Sequence, residues 1–94
     1  MYVLRVEHRV PDFNGWMEAL DSDPLGRKQS GVRRYRVFRP TDDPNYVMID
    51  LEFDTSNEAE ALGGALRDLW GRVQGRLMEN PRARIVETVE SREY

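Results

Sequence analysis

Ninety-four residues, 39% hydrophobic and 33% charged, suffice for one domain over residues 1–94 with a single core, yet leave a chain small enough that a partner subunit would help to bury surface. A formal net charge of -3 gives no reason to expect a nucleic-acid partner, and the absence of cysteine excludes disulfides and thiolate metal sites. No apolar run approaches the roughly 18 residues of a membrane span, and the N-terminus enters a strand pattern without a basic and apolar leader, so a cytoplasmic protein with no membrane partner is expected.

Tyr2 to Val10 alternates, with Tyr2, Leu4, Val6, His8 and Val10 on one face and Val3, Arg5, Glu7 and Arg9 on the other, which is the period of a strand. Pro11 ends it. Asp12 is placed to cap a helix whose Phe13, Trp16, Met17 and Leu20 recur at helical spacing. Asp23 before Pro24 repeats the cap with proline at the first helical position, predicting a short helical segment over Leu25 to Ser30 stopped by Gly31.

Val32 to Phe53 reads as a hairpin around the turn-forming run PTDDPN. Val47, Ile49, Leu51 and Phe53 alternate with Tyr46, Met48, Asp50 and Glu52, and in the preceding arm Tyr35 and Val37 alternate with Arg34 and Arg36. Pairing Val37 with Val47 and Tyr35 with Ile49 sets Arg34 opposite Asp50, apolar groups on one face and matched charges on the other. Thr55 and Glu58 then form the capping-box pattern of a helix running toward Glu79, striped by Leu62, Leu66, Leu69, Trp70, Val73 and Leu77. Gly63 and Gly64 inside it predict a bend or break, each costing about 1 kcal/mol against alanine. Asn80 and Pro81 are expected to end the helix, and Ala83 to Glu90 to return as a last strand with Ile85, Val86 and Val89.

The order is β-α-β-β-α-β, an α+β ferredoxin-like domain with a four-stranded antiparallel sheet and both helices on one face. Arg5, Glu7, Arg34, Arg36, Asp50 and Glu52 then project from the opposite face. That face is either solvated or covered by the sheet of a second copy, and its mixed signs favour the homodimer, since burying one sign alone is very costly.

HRVPDFNGW from His8, GVRRYRVFRPTDDPN from Gly31 and VMIDLEFDT from Val47 resemble the dimeric α+β barrel proteins grouped around the antibiotic-biosynthesis monooxygenases, over about two-thirds of the chain. The resemblance implies a homodimer whose sheets form a barrel, a pocket between sheet and helices in each subunit, and oxygenation of aromatic molecules without a cofactor. It also embraces haem degradation, but no histidine lies between Thr55 and Asn80 to ligate iron from the second helix as that branch does.

His8, the single histidine, is the candidate catalytic base, and Trp16, Tyr35 and Trp70 are the candidate walls for a small planar or aromatic ligand. Each also has a plainer reading as core packing. Asp50, Glu52 and Asp54 are better explained by arginine partners than by a metal. The RNA-recognition motif shares this topology, but Asp50 and Glu52 on the third strand would repel phosphate, so no nucleic-acid partner is expected. A homodimeric ligand-sensing or interaction module without catalysis is the alternative to an enzyme.

Overall fold

The computed structural model describes residues 1–73 and 79–94. Six elements follow the expected order: β1 (Tyr2–Arg9), α1 (Phe13–Asp21), β2 (Arg34–Phe38), β3 (Tyr46–Phe53), α2 (Ser56–Val73) and β4 (Glu79–Glu87). The strands form one antiparallel sheet in the order β2-β3-β1-β4. Leu4, Val6, Val47, Ile49, Leu51 and Phe53 from the two central strands meet Trp16 of α1 and Ala59, Leu62 and Trp70 of α2 in one core, so both helices cover the same sheet face. This is the ferredoxin-like α+β architecture.

Local chemistry sets the helix starts. Asp12 is extended and its carboxylate accepts from the Gly15 N–H at 3.2 Å, capping α1. Thr55 Oγ1 accepts from the Glu58 N–H at 3.2 Å and donates to the Glu58 carboxylate at 3.0 Å, opening α2. Among the described residues, no helix is long and apolar enough to cross a membrane.

The hairpin register differs from the expected one by two residues. Val37 pairs with Ile49, Tyr35 with Leu51, Arg34 with Glu52 and Arg36 with Asp50. A shift of two leaves every side chain on its own face, so the apolar pattern does not distinguish the two registers. The loop decides: Asp43 N–H donates to Pro40, Tyr46 N–H to Asp43, and Asp43 is gripped by Arg9 at 2.8 Å, which keeps the first residues of β3 on β1 and out of reach of β2.

Leu25 to Ser30 is a series of turns rather than a helix. Asp23 and Gly26 both take positive φ, at 50° and 61°, and two left-handed residues so close together do not continue a right-handed helix. The Asp23 carboxylate still accepts from a backbone N–H four residues on, that of Arg27, at 2.9 Å. Gly31, at φ 98°, closes the segment as expected.

No break occurs at Gly63 and Gly64, because α2 runs through both. A Cβ on Gly63 would lie 3.6 Å from Leu4 Cδ1, an ordinary contact that marks close approach of helix to sheet, and one on Gly64 would meet nothing within 4 Å. Packing of Leu62, Leu66 and Trp70 on the sheet outweighs the local glycine preference. Gly64→Ala should therefore raise stability by about 1 kcal/mol in chemical denaturation; loss of stability would mean that this turn needs glycine's freedom. Leu77, assigned by its spacing to the apolar stripe, lies outside the described residues.

The last strand begins at Glu79, earlier than expected, and ends at Glu87. Asn80 and Pro81 start this strand instead of only stopping the helix. Between the pairs Glu7–Arg82 and Arg9–Glu79, β1 contributes only His8 while β4 contributes both Asn80 and Pro81, a bulge in which Asn80 takes φ 50°. Proline suits such a position, having no N–H to give to the ladder.

On the open face, Arg5 Nε and Nη2 grip the Asp50 carboxylate at 2.9 Å each, and Glu52 accepts from Arg34 Nε at 2.6 Å with Arg36 Nη2 at 3.5 Å. Arg33 pairs with Asp54, and Tyr46 donates to Glu7 at 2.8 Å. Glu52 is only 8% exposed, and the Arg34 guanidinium holds its carboxyl below the usual range against the opposing effect of burial. Asp50, Glu52 and Asp54 thus have arginine partners, as their sequence pattern predicts.

Candidate functional site

A cleft of about 290 Å³ lies between the sheet and the two helices. Val6, His8, Ile49 and Leu51 form its floor, because they are the alternate residues of β1 and β3 that face the helices. Trp16 and Leu20 of α1 and Leu66 and Trp70 of α2 form the walls, each on its helix's core-facing stripe. The turns from Ser22 to Arg27 close one end. The lining is almost entirely apolar.

His8 is the polar exception on the floor. It is 3% exposed, sits opposite the β4 bulge, and meets the Trp16 ring edge-to-face with centroids 5.6 Å apart. Its Nδ1 lies 3.1 Å from the Arg9 carbonyl oxygen, which only accepts, so Nδ1 carries the proton in the neutral ring and Nε2 holds the lone pair. Burial lowers the imidazole pKa from its ordinary 6.5, and the Arg9 carbonyl opposes this only in part. At neutral pH the ring is an uncharged base.

That shift fixes a pH dependence. Below pH 6.5 the unfolded chain protonates this histidine while the folded chain does not, so stability falls as pH drops through the interval down to the depressed folded pKa. Glu52 and Asp43 are both held below their ordinary values of 4.5 and 3.8, so stability from them is lost only at lower pH. Thermal unfolding should therefore show a drop in midpoint between pH 7 and pH 5 that His8→Gln removes. An equal drop in the variant would place its origin elsewhere.

The sequence gives no sign of Arg27 at the cleft and marks Asp23 only as a cap, yet both line the cleft. Arg27 Nη1 donates at 2.7 Å to the Leu20 carbonyl near the end of α1, an oxygen that also accepts from the Asp23 N–H at 3.0 Å, and lies 3.6 Å from Asp23 Oδ1. Its guanidinium carbon stands 4.5 Å above the centre of the Tyr35 ring. The available signal was Asp23-Pro24, which reads as a helix cap and does not show where the turns after it bring Arg27.

The structure thus brings His8, Trp16 and Trp70 to one cleft and leaves Tyr35 outside it. Tyr35 does face the helix side, opposite Leu51, but β2 is an edge strand and the residue stays 40% exposed, with Arg27 over its ring.

No family model matches the sequence, and no curated protein matches it. Solved structures match the fold. A variant of SnoaB, a cofactor-independent oxygenase from Streptomyces nogalater, superposes with a TM-score of 0.73 over 96% of this chain and 94% of its own, at 11% identity. A candidate antibiotic biosynthesis monooxygenase from Deinococcus radiodurans gives 0.72 over 100% and 98% at 13% identity, and one from Nitrosomonas europaea 0.69 over 94% and 89% at 18% identity. At these identities the likeness is one of fold.

Proposed function

We propose that this chain, which has the fold of the antibiotic biosynthesis monooxygenases, binds a small planar aromatic molecule in the cleft between sheet and helices and oxygenates it without a cofactor. The observation that carries the reading is a neutral, buried imidazole on the floor of an apolar cleft walled by two tryptophans. Flat rings are held there by stacking and apolar contact with Trp16 and Trp70. His8 Nε2 removes a proton from an acidic phenol or enol, which an apolar site makes harder to leave charged unless the base is close. The resulting carbanion supplies the electrons to dioxygen: the substrate CH₂ becomes a carbonyl, one oxygen atom stays, and the other leaves as water. Oxidant and reductant are then both named by the reaction, and no further redox group is required.

Homodimerisation through the open sheet face is part of the proposal. The charges there are already paired within the chain, so covering them leaves no single sign buried. Val3, Met48 and the 43%-exposed Phe38 supply apolar contact beside them.

One observation favours a second reading, a ligand sensor that does not turn its ligand over. The partner of His8 Nδ1 is a backbone carbonyl and not a carboxylate, so among the described residues no carboxylate bonds to the ring to stabilise an imidazolium. Oxygen uptake with a panel of hydroquinones and anthrones, followed in parallel with tryptophan fluorescence, separates the readings. Uptake with quenching supports the oxygenase, quenching alone supports the sensor, and neither signal overturns both.

A further inference from the structure

Arg27 and Asp23 line the mouth of the cleft and also an outer hollow of about 640 Å³ walled by Lys28, Arg33, Arg34 and Tyr35. The pair is a partition between an apolar interior and a basic exterior. Arg27 is fixed there: its side chain is only 16% exposed, Nη1 is held by the Leu20 carbonyl and Asp23, and the guanidinium rests on the Tyr35 ring. Its other donors are unspent. Within the described residues Nε and Nη2 make no hydrogen bond, and no buried side-chain nitrogen or oxygen there lacks a partner, so neither atom is sealed from solvent.

Nε and Nη2 are the edge of the guanidinium that takes a carboxylate in parallel bonds, as Arg5 does with Asp50 in this same chain. The outer hollow adds a positive field. Arg33 and Arg34 share their charge with Asp54 and Glu52, but Lys28 makes no ion pair among the described residues, and Asp23 is the single carboxylate in that lining. We propose that the cleft selects planar aromatics that carry a carboxylate, rings inward against the tryptophans and the carboxylate on the free edge of Arg27. The inference rests on the reading that the cleft takes a planar aromatic. Asp23, 3.6 Å from Nη1, competes with the ligand and keeps the selection moderate.

The test uses 2-naphthoate and 2-naphthamide, which have the same rings and differ in charge, titrated at neutral pH by quenching of Trp16 and Trp70. Naphthoate should bind about 10- to 100-fold more tightly than the amide, the range of one charge-assisted pair. Arg27→Gln should abolish that preference and leave amide affinity unchanged, which also shows that the variant is folded. Asp23→Asn keeps an oxygen for the Arg27 N–H and should raise naphthoate affinity, a gain that misfolding does not produce. Equal binding of the two probes by the wild-type protein overturns the carboxylate selection and leaves the aromatic cleft standing. Loss of both probes in Arg27→Gln makes Arg27 a structural residue and overturns the selection as well. Binding of neither probe by the wild-type protein overturns the cleft reading together with this one.

Discussion

Replacing His8 with glutamine is expected to lower oxygen uptake with an anthrone by about 10²- to 10⁴-fold, the usual worth of a positioned general base. Glutamine has roughly the reach of histidine, with its amide nitrogen near the place of Nε2, so the floor of the cleft stays filled and quenching of the tryptophans by the anthrone should persist. The separation of binding from turnover is the diagnostic part. A catalytic imidazole also imposes a pH profile: in the wild-type protein, uptake should fall on the acid side as the ring protonates, at a pH below the ordinary histidine value because burial lowers the pKa. A variant that turns over at the wild-type rate would reduce His8 to a core residue, and one that loses binding and turnover together would make its role one of shape.

The second large effect is on association. Asp50→Arg should weaken the homodimer by about 30-fold or more in Kd, corresponding to about 2 kcal/mol for breaking a charge pair covered by an interface. Asp50 is gripped bidentately by Arg5 and is registered against Arg36, so the substitution puts three cations together on the face proposed to be buried. Sedimentation of both proteins at micromolar concentration reads the change, and Asp50→Asn, which removes the charge without reversing it, should fall between them. A wild-type monomer at that concentration would refute the dimer outright.

Much of the fold is legible in the chain because two strands and two helices carry clean periods. Leu4, Val6 and His8, and Val47, Ile49, Leu51 and Phe53, could face only one layer, and the apolar stripes around Trp16 and Trp70 had to meet them. Convergence of His8, Trp16 and Trp70 on one cleft follows from that arrangement. The hairpin register was not legible, since a two-residue shift changes partners without changing faces. Gly63 and Gly64 misled because propensity is local and the packing that overrides it is not. Asn80 and Pro81 look like a helix stop, and that they form a bulge beside His8 depends on how β4 meets β1. Arg27 was hidden for a similar reason. Its position at the cleft mouth follows from two left-handed residues, Asp23 and Gly26, which bend the chain back toward the Leu20 carbonyl. Tyr35 was assigned to the correct sheet side, but an edge strand leaves it beyond the cover of the helices.

A crystal structure of the protein grown with an anthrone tests the aromatic cleft most directly. The expected result is the planar ring system lying between sheet and helices against Trp16 and Trp70, with its acidic carbon or oxygen within hydrogen-bond reach of His8 Nε2. A cleft closed by its own side chains, with the anthrone absent or bound elsewhere, would contradict it.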